Sequence, residues 1–295
     1  MGPFVFVVQQ RRPTNRGADL TEPFIVADLD GTLLHDGKTF EQRALSDYTI
    51  RTVDTLHRNH VPFVVATARP VSTGLDMVRR LHADACIYLN GALIDFHPAT
   101  SDYAMLTGTK SAPNGQLLKI GFSSDYACEV CRSITHVIPD IEIGIVMDDV
   151  RYTNFDVSKY WKTQTWRFTD FTDVPEGTAD KIIIFPTNEQ TSLLSTLLPD
   201  ELSLNISEGS LWMLMDPHAN KQYTMELLCD RWNIDLNNVV AFGDDIIDID
   251  MMQRAGTGVA VANSNPKVLN IADEICASNN DDGVAKWIEH RILIN

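Results

Sequence analysis

Phe24-Ile-Val-Ala-Asp28-Leu-Asp30-Gly-Thr-Leu33 is the stretch on which the fold turns. Its apolar start, Phe24 to Ala27, reads as a buried strand. Two aspartates follow, two positions apart, and then Gly31 and Thr32. Along an extended strand, residues i and i+2 project to the same side. Asp28 and Asp30 would therefore crowd together at the strand's carboxyl end, unless a turn at Gly31 re-aims the second. Two carboxylates so close to a buried strand repel each other and lose hydration. A divalent cation relieves both problems, and hard oxygen ligands suit Mg2+. On this run alone, a strand ending in a plain polar turn is the competing reading.

Outward from this stretch, strand-like and helix-like segments alternate. Residues 41–59 carry apolar side chains at helical spacing (Leu45, Tyr48, Ile50, Val53, Leu56). Phe63–Ala66 reads as a strand, 71–81 as a helix and 87–89 as a strand, closed by the turn signal Asn90-Gly91. This βαβαβ order implies a parallel sheet with right-handed crossovers. From 92 to 215 the pattern changes to short strands and aromatic clusters. A strand is expected at Lys181–Phe185, a helix at 191–198, and a hairpin of 204–206 with Leu211–Met215 across Glu208-Gly209. After Pro217 the alternation resumes, with helices at Lys221–Trp232, 247–254, 266–272 and 284–291 and strands at 239–242 and 258–261. The expected organisation is one α/β core domain (23–91 and 216–295), interrupted by an α+β insert (92–215). Residues 1–22 read as a poorly ordered extension or a short extra strand.

At 295 residues the chain can bury a large core. No apolar run approaches the roughly 20 residues needed to span a bilayer. Near the N-terminus the arginines follow the apolar patch, the wrong order for a signal peptide. The net charge of −16 argues against nucleic acid and anionic membrane as partners. It also repels anionic substrates, so a phosphate site here would need local cations, a metal or backbone N–H groups. Five cysteines without a secretory signal suggest a reducing compartment, and the cytoplasm is the expected location. Cys128 and Cys131 form a CxxC that lacks a second pair and sits in a helical stretch, so they are read as two residues sharing one helix face.

Three strand ends are polar. Phe24–Ala27 ends in Asp28, Phe63–Ala66 ends in Thr67 before Ala68-Arg69-Pro70, and the 239–242 strand ends in Gly243-Asp244-Asp245, with Asp248 and Asp250 close behind. Open parallel sheets bind ligands at the carboxyl ends of their strands, so these residues can converge on one spot. Asp is also favoured in a first helical turn, which accounts for one or two of the carboxylates. Asp244 and Asp248, four apart, are expected on one helical face, and with Asp28 they make a three-carboxylate Mg2+ site. Lys221 is the candidate cation for an anionic substrate, although spacing alone reads it as a surface lysine.

These motifs resemble the haloacid dehalogenase (HAD) superfamily of hydrolases, in its Cof-like type-IIB branch, over about residues 24–290. Asp28 and Asp30 match the DxDGT[L/V] motif. Thr67 matches the second motif, within TAR where the family often has TGR. Lys221 in HANKQYTMELL matches the third, and Gly243, Asp244 and Asp248 match GDxxxD. Asn90-Gly91-Ala92 resembles the NGA turn at which the family's cap begins, and GVAVANSNPKVLNIAD with NNDDGVAKWI resembles its closing pattern. Three positions depart from the family: Ile247 stands where Asn is usual in GDxxND, Gln222 where glycine often follows the lysine, and Asn263-Ser264 where Gly-Asn-Ala is common.

The resemblance implies a Rossmann-like HAD core with an inserted α+β cap. It implies Mg2+-dependent hydrolysis of a small phosphorylated metabolite, a sugar phosphate or phosphorylated cofactor, through an aspartyl-phosphate. Asp28 would be the nucleophile and Asp30 the acid/base, with Thr67 and Lys221 binding phosphate. The metal would be held by Asp28, the backbone carbonyl of Asp30, Asp244 and Asp248. Trp161, Trp166, Arg167, Arg151 and Trp212 are candidates to line the pocket, each also readable as cap core or surface. His35, Asp36 and Lys38 fall in a flap and are expected to be solvated. A phosphomutase, or a non-catalytic sensor of phosphorylated ligands, remains an alternative.

Overall fold

The structure is a computed structural model that describes residues 7–8, 22–207 and 210–294. The described residues form two compact units. One takes those up to Arg69, Thr73–Ser101 and the chain from Asn220 on; the other takes Pro70–Ser72 and Asp102–Ala219.

The first unit is built on a sheet with the strand order Val7–Val8, Glu274–Cys276, Thr257–Val261, Val239–Gly243, Phe24–Ala27, Phe63–Ala66, Ala85–Tyr88, Leu93–Asp95. Its inner strands are parallel, and its first and last pairings are antiparallel. Every residue of Phe24–Ala27, Phe63–Ala66, Ala85–Tyr88 and Val239–Gly243 is buried, as a parallel sheet covered on both faces requires. This is the α/β core expected from the alternation. The sheet extends further than the sequence suggests. Leu93–Asp95 folds back on Ala85–Tyr88, so this unit continues past the Asn90-Gly91 turn to Ser101. Val7 and Val8 pair with Ile275 and Glu274, and residues 1–6 and 9–21 lie outside the described residues.

The helix expected over 41–59 begins later, at Asp47, and ends at Arg58. Ser46 stops it from starting earlier: its side chain accepts from the Thr49 N–H and caps the first turn. The residues before it form a loop instead. His35 and Ala44 make an isolated antiparallel bridge, and Phe40–Gln42 forms one 3-10 turn. Asp36 and Lys38 are exposed, as expected, and His35 is half-buried. His35 pairs with Asp282 at 2.8 Å, and Asp36 accepts from Asn279 at 3.0 Å and Asn280 at 2.8 Å.

The second unit carries a six-stranded sheet, ordered Thr165–Phe168, Val150–Thr153, Glu142–Met147, Lys181–Phe185, Leu211–Met215, Ser203–Ser207. The last two strands form the expected antiparallel hairpin; its turn at Glu208-Gly209 lies outside the described residues. Helix Ser124–Val137 buries Cys128 and Cys131 against Ile143, Ile145, Ile182 and Ile184. Burial pushes both thiols up, which keeps them protonated and unlike metal or redox thiolates. Trp212 belongs to the same core; Trp161 and Trp166 pack on a second one with Val146 and Ile183, Arg151 is buried on Asp149 at 2.9 Å, and Arg167 is exposed. Among the described residues, no helix is long and apolar enough to cross a membrane.

Ser46 also donates to Asp282 at 2.6 Å, linking the helix start to the C-terminal segment. Ser46→Ala is expected to cost about 1–2 kcal/mol, read as a lower urea midpoint at unchanged m-value.

Candidate active site

Val239–Gly243, Phe24–Ala27 and Phe63–Ala66 are adjacent parallel strands, with Ala27 registered beside both Phe242 and Val65. Their carboxyl ends therefore present Asp244, Asp28 and Thr67 side by side. Lys221 comes from another element, as the first residue of helix Lys221–Trp232, whose start is fixed by Asn220 accepting from the Tyr223 N–H at 2.8 Å.

The Lys221 ammonium is fully buried and donates to Asp28 Oδ1 at 2.6 Å and to Asp248 Oδ1 at 2.7 Å. It is not the surface lysine that spacing alone suggests. The two carboxylates hold its proton, raising its pKa against the pull of desolvation. Asp28 is pushed well above the carboxylate range by burial; Lys221 opposes this, and Asp248, Asp244 and Asp30 add to it. Asp248 Oδ2 accepts from the Asp244 and Asp245 N–H groups, each at 3.1 Å.

Asp244 and Asp248 meet differently from the expected shared helical face. The helix proper starts at Ile249, after a 3-10 turn over Ile246–Asp248, and Asp244 precedes both. The pair is brought together because Asp248 reaches back to the N–H groups at the end of the strand. The turn demands glycine at 243, where a Cβ would lie 2.4 Å from Asp248 Cβ.

Asp244 Oδ1 accepts from the Thr32 hydroxyl at 2.7 Å. Gly31, at φ +80°, packs so closely that a Cβ there would sit 2.3 Å from Asp244 Oδ2. Asn263 donates to the Gly31 carbonyl at 2.8 Å and fixes that turn. The carboxylates of Asp28, Asp244 and Asp248 each offer an oxygen, all within 4.8 Å of one another. An all-oxygen, three-carboxylate group of this compactness suits a hard divalent cation.

The Asp30 carboxylate is outside that group. The turn re-aims it onto two arginines: Arg69 grips it in a bidentate pair, Nε to Oδ2 and Nη2 to Oδ1, each at 2.6 Å, and Arg43 donates to Oδ1 at 2.9 Å. Thr67 is fully buried, and its Oγ1 accepts from the Arg69 N–H at 3.1 Å. Of the groups beside the motif aspartates, Thr32, Arg43 and Asn263 were not legible as site residues. Thr32 lay within the opening motif and Arg69 within TAR, but neither position indicated its partner.

Residues 25–288 match the family model of haloacid dehalogenase-like hydrolases. The chain belongs to that family, in its Cof-like type-IIB branch. It is an enzyme of the phosphatase kind. It is 39% identical over 286 residues to the 5-amino-6-(5-phospho-D-ribitylamino)uracil phosphatase YcsE of Bacillus subtilis, covering 93% of this chain and 98% of that relative. A haloacid dehalogenase-like hydrolase from Bacteroides thetaiotaomicron shares the fold at a TM-score of 0.74 and 21% identity, over 91% of this chain and 99% of that one. A HAD subclass IIB sugar phosphatase does so at 0.71 and 18%, over 91% and 98%.

Burial pushes the Asp244 carboxyl up to about 7, with Asp248 and Asp245 adding to the shift and Thr32 and Lys221 opposing it. A carboxyl raised on folding gives stability that is present below its ordinary value and lost as pH rises through the folded one. With a chelator present, the melting temperature should fall between about pH 5 and about pH 8. Mg2+ should restore more of it at the upper pH, because the cation needs the ionised carboxylate. Asp244→Asn should flatten both dependences in a thermal melt.

Proposed function

We propose that this enzyme is a Mg2+-dependent phosphatase of a small phosphorylated metabolite, acting through an aspartyl-phosphate on Asp28. The observation that carries the reading is the buried bridge Asp28–Lys221–Asp248 at the carboxyl ends of the parallel strands. A molecule with a net charge of −16 repels phosphate monoesters, and Lys221 supplies a fixed positive charge where one must bind.

Asp28 Oδ1 is engaged by Lys221, which leaves Oδ2 as the attacking oxygen. Attack on phosphorus forms the acyl phosphate and breaks the ester bond to the leaving alcohol. The Thr67 hydroxyl and the Lys221 ammonium donate to the phosphoryl oxygens, where charge accumulates. Asp30 protonates the departing alkoxide and then takes a proton from the water that cleaves the acyl phosphate, restoring Asp28. Asp28, the Asp30 carbonyl, Asp244 and Asp248 would hold Mg2+, which when bound would offset the negative charge of nucleophile and phosphate. The inserted α+β unit is assigned the role of a cap that excludes water and reads the leaving group. The likeness to a 5-amino-6-(5-phospho-D-ribitylamino)uracil phosphatase supports a primary alkyl phosphate as substrate.

Phosphate release is the test, from p-nitrophenyl phosphate and from a panel of pentose, hexose and ribityl phosphates, with Mg2+ or with chelator. Turnover should require the metal and fall at least roughly 10³-fold in Asp28→Asn. Turnover that survives that substitution contradicts the reading.

A further inference from the structure

Alkoxides are poor leaving groups, so the proton that Asp30 delivers must arrive along the breaking bond. Asp30 is badly placed to hold itself there. It precedes a glycine at φ +80°, in a turn that leaves its side chain outside the strand. The Asp28 carboxylate is close enough to repel it. Something else must fix its position.

Arg69 has the required features. Its side chain is only 3% exposed, and its fork meets both Asp30 oxygens at 2.6 Å. A third nitrogen donates to the Thr73 carbonyl at 3.3 Å, and the Phe40 ring covers the guanidinium with its centroid 4.0 Å from Cζ. The Arg69 backbone is tied as well, its N–H donating to Thr67 Oγ1 at 3.1 Å and its carbonyl accepting from the Leu89 N–H at 3.1 Å. A guanidinium with this many constraints is a rigid mount, and bidentate pairing transmits that rigidity to the carboxylate. Arg43 adds one contact from the loop that carries Phe40, but it is about a third exposed. Among the described residues, Asp30 Oδ1 accepts from both arginines and Oδ2 from Arg69 Nε, which leaves Oδ2 the less crowded of the two oxygens.

We propose that Arg69 is the positioning residue that aims Asp30 at the leaving-group oxygen. The inference rests on the phosphatase reading and assigns to Arg69 a role separate from phosphate binding. Its consequence is selective. A leaving group that needs a proton should depend on Arg69, and one that departs as a stable anion should not.

The experiment measures kcat/KM for 2,4-dinitrophenyl, p-nitrophenyl and unsubstituted phenyl phosphate with the Mg2+-loaded full chain. This parameter covers the steps through leaving-group departure and omits hydrolysis of the acyl phosphate. Arg69→Met should lower kcat/KM for phenyl phosphate by roughly 10²-fold and that for the dinitrophenyl ester only a few-fold. Arg69→Lys, which keeps the charge and loses the fork, should fall between. Adding Arg69→Met to Asp30→Asn should not change the ratio of the two esters further. That ratio is taken within one preparation, so a smaller folded fraction leaves it untouched. An equal loss on all three esters, or no loss, in the Met and Lys variants overturns the proposal. Absence of turnover in the unsubstituted enzyme on every ester would instead count against the phosphatase reading.

Discussion

The arrangement of the candidate site depends on one buried ammonium shared by two carboxylates. The Lys221 side chain is fully buried, and its charge is tolerated because Asp28 and Asp248 both accept from it. Removing one partner from such a group strands a buried charge, at a cost of about 3–5 kcal/mol. The bridge joins three elements distant in sequence: the end of Phe24–Ala27, the start of Lys221–Trp232 and the turn after Val239–Gly243. Their mutual placement therefore follows from charge compensation as much as from apolar packing.

The same logic divides the aspartates into two environments. Asp28, Asp244 and Asp248 are crowded and compensated by one lysine, and burial, with the charge of neighbouring aspartates, raises the pKa values of Asp28 and Asp244. Asp30 faces two guanidinium groups instead. Carboxylates in contrasting surroundings are suited to different work. A short motif, Asp-Leu-Asp-Gly, feeds both environments because the chain leaves the strand conformation directly after Asp28.

Much of the fold was legible because strands buried on both faces, parallel or antiparallel, write themselves as continuous apolar runs. Phe24–Ala27, Phe63–Ala66 and Lys181–Phe185 fall where those runs are, and the polar residues after the first two mark the strand ends. Helix boundaries were less legible. Apolar spacing over 41–59 carried no mark of Ser46 as a cap, and the spacing of Asp244 and Asp248 suggested a helix face where a strand-to-helix turn does the work. Leu93–Asp95 was hidden because a three-residue edge strand is too short to show a period. The partners of Asp30 were also hidden. Arg43 and Arg69 are 13 and 39 residues away, and sequence offers no signal for a contact that a loop and a strand end create in space. Lys221 was recognised through its family motif, since its burial cannot be read from its neighbours.

The central claim is that Asp28 becomes covalently phosphorylated. The most direct measurement mixes enzyme, Mg2+ and p-nitrophenyl phosphate, quenches in acid within milliseconds and locates the phosphoryl group by peptide mass spectrometry. The account predicts a phosphoryl group on the peptide bearing Asp28, at a stoichiometry that follows the burst of p-nitrophenol. Phosphate release with no labelled peptide and no burst, or a label on another residue, would contradict it.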